Sequence, residues 1–384
     1  MKKTMIVLCF LLLSTVTGGC WNLREPNQLA IVIAAGLDAS EDGRLKVSSQ
    51  IAIPAGLSAE DSNAGRNRSF VVVSAYGKDF MDAGQNIQTQ LSRTLFYAHR
   101  QTILIGQRMA QNGLAKHGIH RYLDMIVRNP KSEIRSVIWI VKDGEAKDIL
   151  GTKPVFDPLL STALSSIQMS LGMKPYYYRE FLADSLTHGG AILLPAISLQ
   201  RSSTKFVYTG AAVLNKEAEL RLSGYLNPLE SYYANWITGR QRMLTVTALQ
   251  SQGAGSSISI RVKPLKRHVS VYKDKQGMRV HIRLHGNGDI VENNTLLDPS
   301  NAKDLHIIQD QLGKVANQAV AHLIDKAQKQ YKVDFLGIGE HVHRKYPQEW
   351  KSLQKDWNAT FAKLPITAEV HLRYQDPGQT NSSM

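Results

Sequence analysis

Apolar positions along this chain follow two rhythms, short continuous or alternating runs and stripes at three- and four-residue spacing. Leu29 to Asp38 is a nearly unbroken apolar run, the pattern of a buried strand. Glu41-Asp42-Gly43 supplies turn chemistry, and Arg44 to Ile53 alternates as the return strand of a hairpin. Residues 58–67 are polar and read as a mobile loop. Phe70 to Tyr76, Thr102 to Gly106 and Ile134 to Val141 read as further strands. Phe80, Ala83, Ile87, Leu91 and Leu95 fall at helical spacing, which predicts a helix over 79–95. Met109 to Val127 predicts two helices broken near Gly118, and Gly144 to Leu150 a short one. Residues 157–189 read as mostly helical, punctuated by Pro154, Pro158 and Pro175. The stretch 193–204 reads as an irregular connector, and the main division of the chain is expected there.

The second half repeats the mixture. Residues 206–214 and 220–222 predict a hairpin, Asn227 to Gly239 a helix, and 243–249, 256–263, 266–273 and 277–291 a meander of strands. Val280, Ile282 and Leu284 alternate with Arg279, His281, Arg283 and His285, so one face is buried and the other wet. Asp298-Pro299 reads as a cap with proline at the first helical position, opening a long helix over 298–331. Its stripe is Leu305, Ile308, Leu312, Val315, Ala319 and Leu323. Two shorter helices flank Pro347, Ile366 to Tyr374 alternates as a closing strand, and 375–384 is a polar tail. Strands and helices mix without strict βαβ alternation, so the expected class is α+β, multidomain, with mixed sheets each surrounded by helices. The expected division is an N-terminal half over 20–204, one domain to about residue 150 plus a helical part of a middle domain, and a C-terminal half over 205–374.

The first residues carry an address rather than a fold. Met1-Lys2-Lys3, an apolar run from Met5 to Leu13 and the small-residue zone to Gly19 form a signal peptide over 1–19, too short to span a bilayer. Cys20 directly after Gly18-Gly19 resembles a bacterial lipobox, although Thr17 stands where an aliphatic residue is usual. Cleavage before Cys20 would remove Cys9 and leave a lipid-blocked thiol as the only cysteine. Loss of Lys2 and Lys3 would lower the net charge from +14 to +12. A lipid together with a basic surface is a two-signal attachment to an anionic membrane. Nucleic acid is the rival partner for such a charge. The basic residues are dispersed, however, and no zinc-finger, homeodomain or RNP-type signature is present.

Chemistry is harder to find. The sequence holds no phosphate loop, nucleophile elbow, His-Glu-x-x-His or Gly-x-Gly-x-x-Gly opening a helix, nor an EF-hand loop. His341 and His343 would point apart on a helix, and His281 and His285 would lie about 13 Å apart along a strand, too far for one metal. Tyr176 to Tyr178 and Tyr232-Tyr233 read as packing residues. No catalytic site, cofactor or metal is expected.

Several blocks together resemble the Ger(x)C family of spore germination lipoproteins, the C subunits of nutrient germinant receptors. They are Cys20-Trp-Asn-Leu-Arg-Glu25, Leu29 to Asp38, Ser92-Arg-Thr-Leu-Phe-Tyr-Ala-His-Arg-Gln101, and Arg128-Asn-Pro-Lys131. Gln328 to His341 and Tyr346-Pro-Gln-Glu-Trp350 are the most specific. Asn22 replaces the usual aspartate after Cys-Trp. The resemblance implies three mixed α/β domains and a diacylglycerol tether on Cys20, with N-acylation, at the outer face of the inner spore membrane. It further implies assembly with multi-span A and B subunits, no catalysis, and germinant binding by the B subunit, so direct small-molecule binding by this chain is not expected. Arg93, Phe96, His99, Arg100, Glu340, His341 and Trp350 are the candidate partner contacts, with fold packing as the rival explanation. Two other classes compete with this one. A lipid-anchored solute-binding protein of a transport system needs a ligand cleft between two parallel-sheet lobes. A cell-wall hydrolase needs a paired carboxylate or a metal.

Overall fold

The structure, a computed structural model, describes residues 25–54, 69–114, 117–128, 132–187, 189–200, 205–249 and 256–376. Cys20, the polar segment 58–67, Asn129 to Lys131 and most of the tail lie outside the described residues.

The first sheet has nine strands: β1 (Leu29–Ala39), β2 (Leu45–Ala52), β3 (Phe70–Gly77), β4 (Thr94–Phe96), β5 (Thr102–Gly106), β6 (Val137–Val141), β7 (Ala191–Leu199), β8 (Phe206–Asn215) and β9 (Arg221–Leu226). Their order is β3-β2-β1-β5-β6-β7-β8-β9, with β4 beside β1. The centre is parallel and buried. Every residue of β5 and β6 is shielded, as their unbroken apolar runs require when helices cover both faces. Antiparallel hairpins flank the parallel centre at both ends.

The second sheet is β10 (Leu244–Leu249), β11 (Ser257–Asp274), β12 (Gly277–Asn293) and β13 (Ile366–Asp376), with only the last pair parallel. The helices used below are α1 (Phe80–Gln88), α2 (Ala146–Leu150), α3 (Tyr178–Leu186), α4 (Pro228–Thr238), α5 (Ala302–Asp325), α6 (Ile338–Lys345) and α7 (Trp357–Phe361). The fold is thus α+β with two mixed sheets, as the hydrophobic rhythms predict.

Four elements differ from the sequence reading. The connector expected at 193–204 begins as β7, with Leu194, Ala196 and Ile197 fully buried. Pro195 is tolerated because pairing with β6 starts only at Ala196, so the ladder on that side does not need its missing N–H. In consequence the first sheet crosses the expected division at 204–205, and β8 and β9 are its last strands. It is narrowest where β6 and β7 pair, through Ile140–Ala196 and Val141–Ile197 alone.

The helix expected over 79–95 stops at Gln88, whose side chain turns the backbone by donating to Arg93 O and accepting from Leu95 N. Residues 94–96 are thereby released to pair with β1. The two strands expected around Pro264 are one, β11, interrupted by a bulge between Val262 and Leu265. The long helix is capped by Asn301 rather than Asp298, and its buried stripe runs Ile308, Leu312, Ala316, Val320 and Leu323. Val315 and Ala319 flank that stripe, half-buried.

One core lies between the second sheet, α4, α5 and the 333–364 segment, and it takes in Leu193, Val213 and Leu226 from the first sheet. The halves are also tied by polar contacts. Asn227 and Glu230 close a capping box at the start of α4, and the same Glu230 receives Lys326 at 2.8 Å. Tyr331 donates to Tyr225 O at 2.7 Å across Gly224, where a Cβ would come within 2.6 Å of the Tyr331 hydroxyl.

Asp38 ends the apolar run of β1 inside the protein. It accepts from Ala146 N at 2.7 Å and Lys147 N at 3.1 Å, holding the first turn of α2. Burial outweighs these bonds and pushes its carboxyl up to about 6, with Glu145 adding to the rise. The folded form therefore binds this proton more tightly than the unfolded chain does. The stability it contributes is complete below the ordinary carboxylate range and is lost as pH rises through about 6. Asp38→Asn should remove that slope. In urea titrations, wild type should gain on the variant as pH falls from 7.5 to 5; parallel curves would mean the carboxyl titrates normally.

Candidate functional site

The sequence blocks at 328–341 and 346–350 fold around one buried carboxylate. Asp334 is fully shielded from solvent. It accepts from Leu336 N and Ile338 N, each at 3.1 Å, from Gly339 N at 2.7 Å and from Trp357 Nε1 at 2.8 Å. Three of these donors belong to the turn that opens α6, so the carboxylate fastens the start of that helix. Burial pushes this carboxyl up, and the four donors oppose it. Gly337, at φ +74°, makes the turn. Gly339 lets Trp357 approach, since a Cβ there would stand 2.8 Å from the indole nitrogen. The backbone of Asp334 also binds the first sheet. Its carbonyl accepts from Ala191 N at 3.1 Å, and its N–H donates to Asn358 Oδ1 at 3.2 Å.

Held in this way, α6 turns Glu340, His341 and Arg344 toward a cleft of about 240 Å³ between the two sheets. The opposite wall carries Asp184 at the end of α3, Lys216 after β8, Arg240 after α4 and Arg267 on β11. Asp184 is engaged twice: Tyr176 Oη donates to it at 2.5 Å, and Arg240 pairs with it. Arg344 pairs with Glu340 at 3.2 Å. Lys216 donates to the Asp184 and Thr187 carbonyls and to Thr187 Oγ1, and burial pulls its ammonium down. Arg267 donates to Ile237 O at 2.6 Å. Burial, Arg267 and Arg344 together depress His341 to about 4, so its ring is neutral near pH 7.

The second predicted contact segment lies on the first sheet. Arg93 and His99 are exposed, while Phe96 is half-buried in β4 with its ring edge-on to His99 at 5.5 Å. Arg100 is buried, donating to Ser136 Oγ at 3.4 Å and Glu133 O at 3.3 Å, and burial pulls it down to about 10. It closes one side of an apolar pocket of about 260 Å³ that Phe80, Leu95 and Tyr97 also line. Trp350 is likewise inside, its ring 4.9 Å from that of Trp357. Arg100 and Trp350 therefore pack within the chain, where the sequence suggested exposed contacts. Glu340 and His341 reach the cleft, and Arg93 and His99 lie on the outer surface.

Sequence reasoning missed Asp184, Lys216, Arg240 and Arg267, which come from four separate segments. It also missed Asp334, whose one local signal is an acidic residue inside the apolar run Val333 to Ile338. His281 and His285 are not isolated. Glu369 on β13 accepts from His281 Nε2 at 3.0 Å and lies 3.3 Å from His371 Nε2, and the His371 ring stacks on His285 at 5.0 Å. Among the described residues, no group of three or more His, Cys, Asp or Glu is placed to hold a metal.

Two family models account for most of the chain. Residues 22–199 match the one described as spore germination protein N-terminal domain, and residues 209–378 the one described as spore germination B3/GerAC like, C-terminal. The chain belongs to this family of spore germination proteins. Among similar proteins of this GerAC-like family, the spore germination protein YndF of Bacillus subtilis (strain 168) is 23% identical, over 96% of this chain and 95% of its own length. Spore germination protein B3 of the same organism is 22% identical, over 96% of each chain. The crystal structure of the GerBC protein superposes with a TM-score of 0.56 at 18% identity, covering 90% of this chain and 98% of that one, a likeness of fold. The two matched ranges leave residues 200–208 between them, and the hydrogen-bonded first sheet has strands on both sides of that interval.

Proposed function

We propose that this chain is a non-enzymatic, lipid-anchored subunit of a spore germinant receptor, assembling with membrane-embedded A and B subunits to trigger germination by small nutrients. The observation that carries the reading is the family match through both halves of the chain. In this reading Cys20 bears the diacylglycerol and an N-acyl group, and the protein sits on the outer face of the inner spore membrane. The lipid supplies the attachment in this reading, aided by the basic surface; no helix among the described residues is long and apolar enough to cross a membrane. Arg93 and His99, both exposed, are candidate partner contacts in the same reading.

The test is membrane fractionation of dormant spores with co-purification, for wild type and Cys20→Ala. Wild type should be recovered from the inner membrane with two multi-span partners, and the variant should shift to the soluble fraction with loss of nutrient response. A soluble variant that still supports full germination, or a wild-type protein recovered alone, would sink the proposal.

A further inference from the structure

The cleft between the sheets carries four cations, Lys216, Arg240, Arg267 and Arg344, against two carboxylates, with His341 neutral. The carboxylates are already engaged, Asp184 by Arg240 and Tyr176, and Glu340 by Arg344. Among the described residues, Lys216 and Arg267 donate only to neutral oxygens, carbonyls and one hydroxyl, and the carboxylates of Asp184, Asp334 and Glu340 act on Lys216 without a direct bond. Positive charge gathered in a half-enclosed site is costly unless an anion answers it, because each cation loses water and repels its neighbours. Arg240 and Arg344 indeed both act against Arg267.

The floor of the cleft between these cations is apolar: Ile192, Leu193, Phe335 and Leu336 are buried side chains that line it. At about 240 Å³ it is smaller than the pockets that take drug-sized ligands, and too small for a folded segment of another protein. We infer that this cleft binds a small aliphatic dicarboxylate, its two charged ends answered by Lys216 and Arg267 and its carbon body laid on the apolar floor. The sequence alone suggests no such ligand, because the binding groups converge only in the fold. The walls belong to both sheets, so an occupant would bridge them and raise the stability of the docked arrangement by mass action.

Titration calorimetry of the full chain in detergent, at pH 7, tests this with succinate, butyrate and inorganic phosphate as probes. Succinate should bind, and more tightly than either of the others. Arg267→Gln and Lys216→Met should each weaken it about ten-fold, roughly the share of one charge-assisted contact. Lys216 also secures the end of α3, so Arg267→Lys serves as the conservative control, and it should keep most of the affinity. A succinate-dependent rise in melting temperature should follow the same order. Failure of all three probes to bind, a preference for phosphate, or equal succinate affinity in wild type and both charge-removing variants would overturn the inference. The measurement needs no spores or partner subunits, so its failure leaves the receptor reading untouched.

Discussion

Asp334→Ala is expected to cost about 4 kcal/mol of stability, since it strips the acceptor from four buried donors at once. Leu336, Ile338 and Gly339 lose the partner of their backbone N–H groups, and Trp357 loses that of its indole. A typical unanswered buried donor costs about 1–3 kcal/mol, and partial relaxation keeps the total below the simple sum. Asp334→Asn should lose about half as much, because its carbonyl oxygen serves one pair of donors while its amide faces the other. Urea unfolding followed by tryptophan fluorescence reads the effect locally, with Trp350 and Trp357 packed beside the site. The same variant should loosen α6, the wall of the cleft that carries Glu340, His341 and Arg344. An Asp334→Ala protein with wild-type stability would mean that this carboxylate does not organise the segment.

The sequence reveals the elements better than their assembly, for reasons visible in particular residues. β12 reads correctly because Val280, Ile282 and Leu284 face a core while Arg279 and His281 face water. α4 reads correctly because Asn227, Pro228 and Gly239 are punctuation that acts locally, Gly239 adopting φ +78°. β4 is invisible because Thr94 to Phe96 becomes a strand only when Gln88 turns the chain beside β1. β7 is hidden by Pro195, which in isolation argues against a central strand and is excused here by the late start of the β6 pairing. The long helix buries Ile308, Leu312 and Leu323 as its spacing predicts, but Ala316 and Val320 replace Val315 and Ala319, since these neighbours are all apolar and only packing chooses between them.

The site divides the same way. Glu340 and His341 were legible as a charged block on a helix. The cations opposite them lie 73 to 125 positions earlier in the chain, and no local pattern announces such a meeting. Arg100 and Trp350 show the converse error: polar or amphipathic residues in a distinctive block suggest contact, yet both are held inside. At these two positions the distinctive blocks tie the fold together internally.

Gly106→Ala should cost about 3 kcal/mol, and the cost should largely vanish when Asp38 is also removed. Gly106 closes β5 with φ −65°, a backbone open to any residue, so conformational strain is not the obstacle. The obstacle is space. A Cβ at 106 would stand 1.9 Å from Asp38 Oδ1 and 3.2 Å from its carboxyl carbon, with Ala146 N at 3.4 Å behind. The carboxylate cannot swing aside without surrendering the N–H groups of Ala146 and Lys147 that it holds. Overpacking of this kind usually costs about 1–3 kcal/mol, and the loss of the α2 bonds places this case at the upper end. Asp38→Ala alone should cost about 2 kcal/mol through those same bonds. In the double variant the added methyl occupies the vacated volume, so the combined loss should approach that of Asp38→Ala rather than the sum. A double-mutant cycle on the urea transition measures the difference, expected at about 2–3 kcal/mol. Strict additivity would show instead that the methyl collides with the backbone of α2, and that Gly106 is required by β5–α2 packing independently of the buried carboxylate.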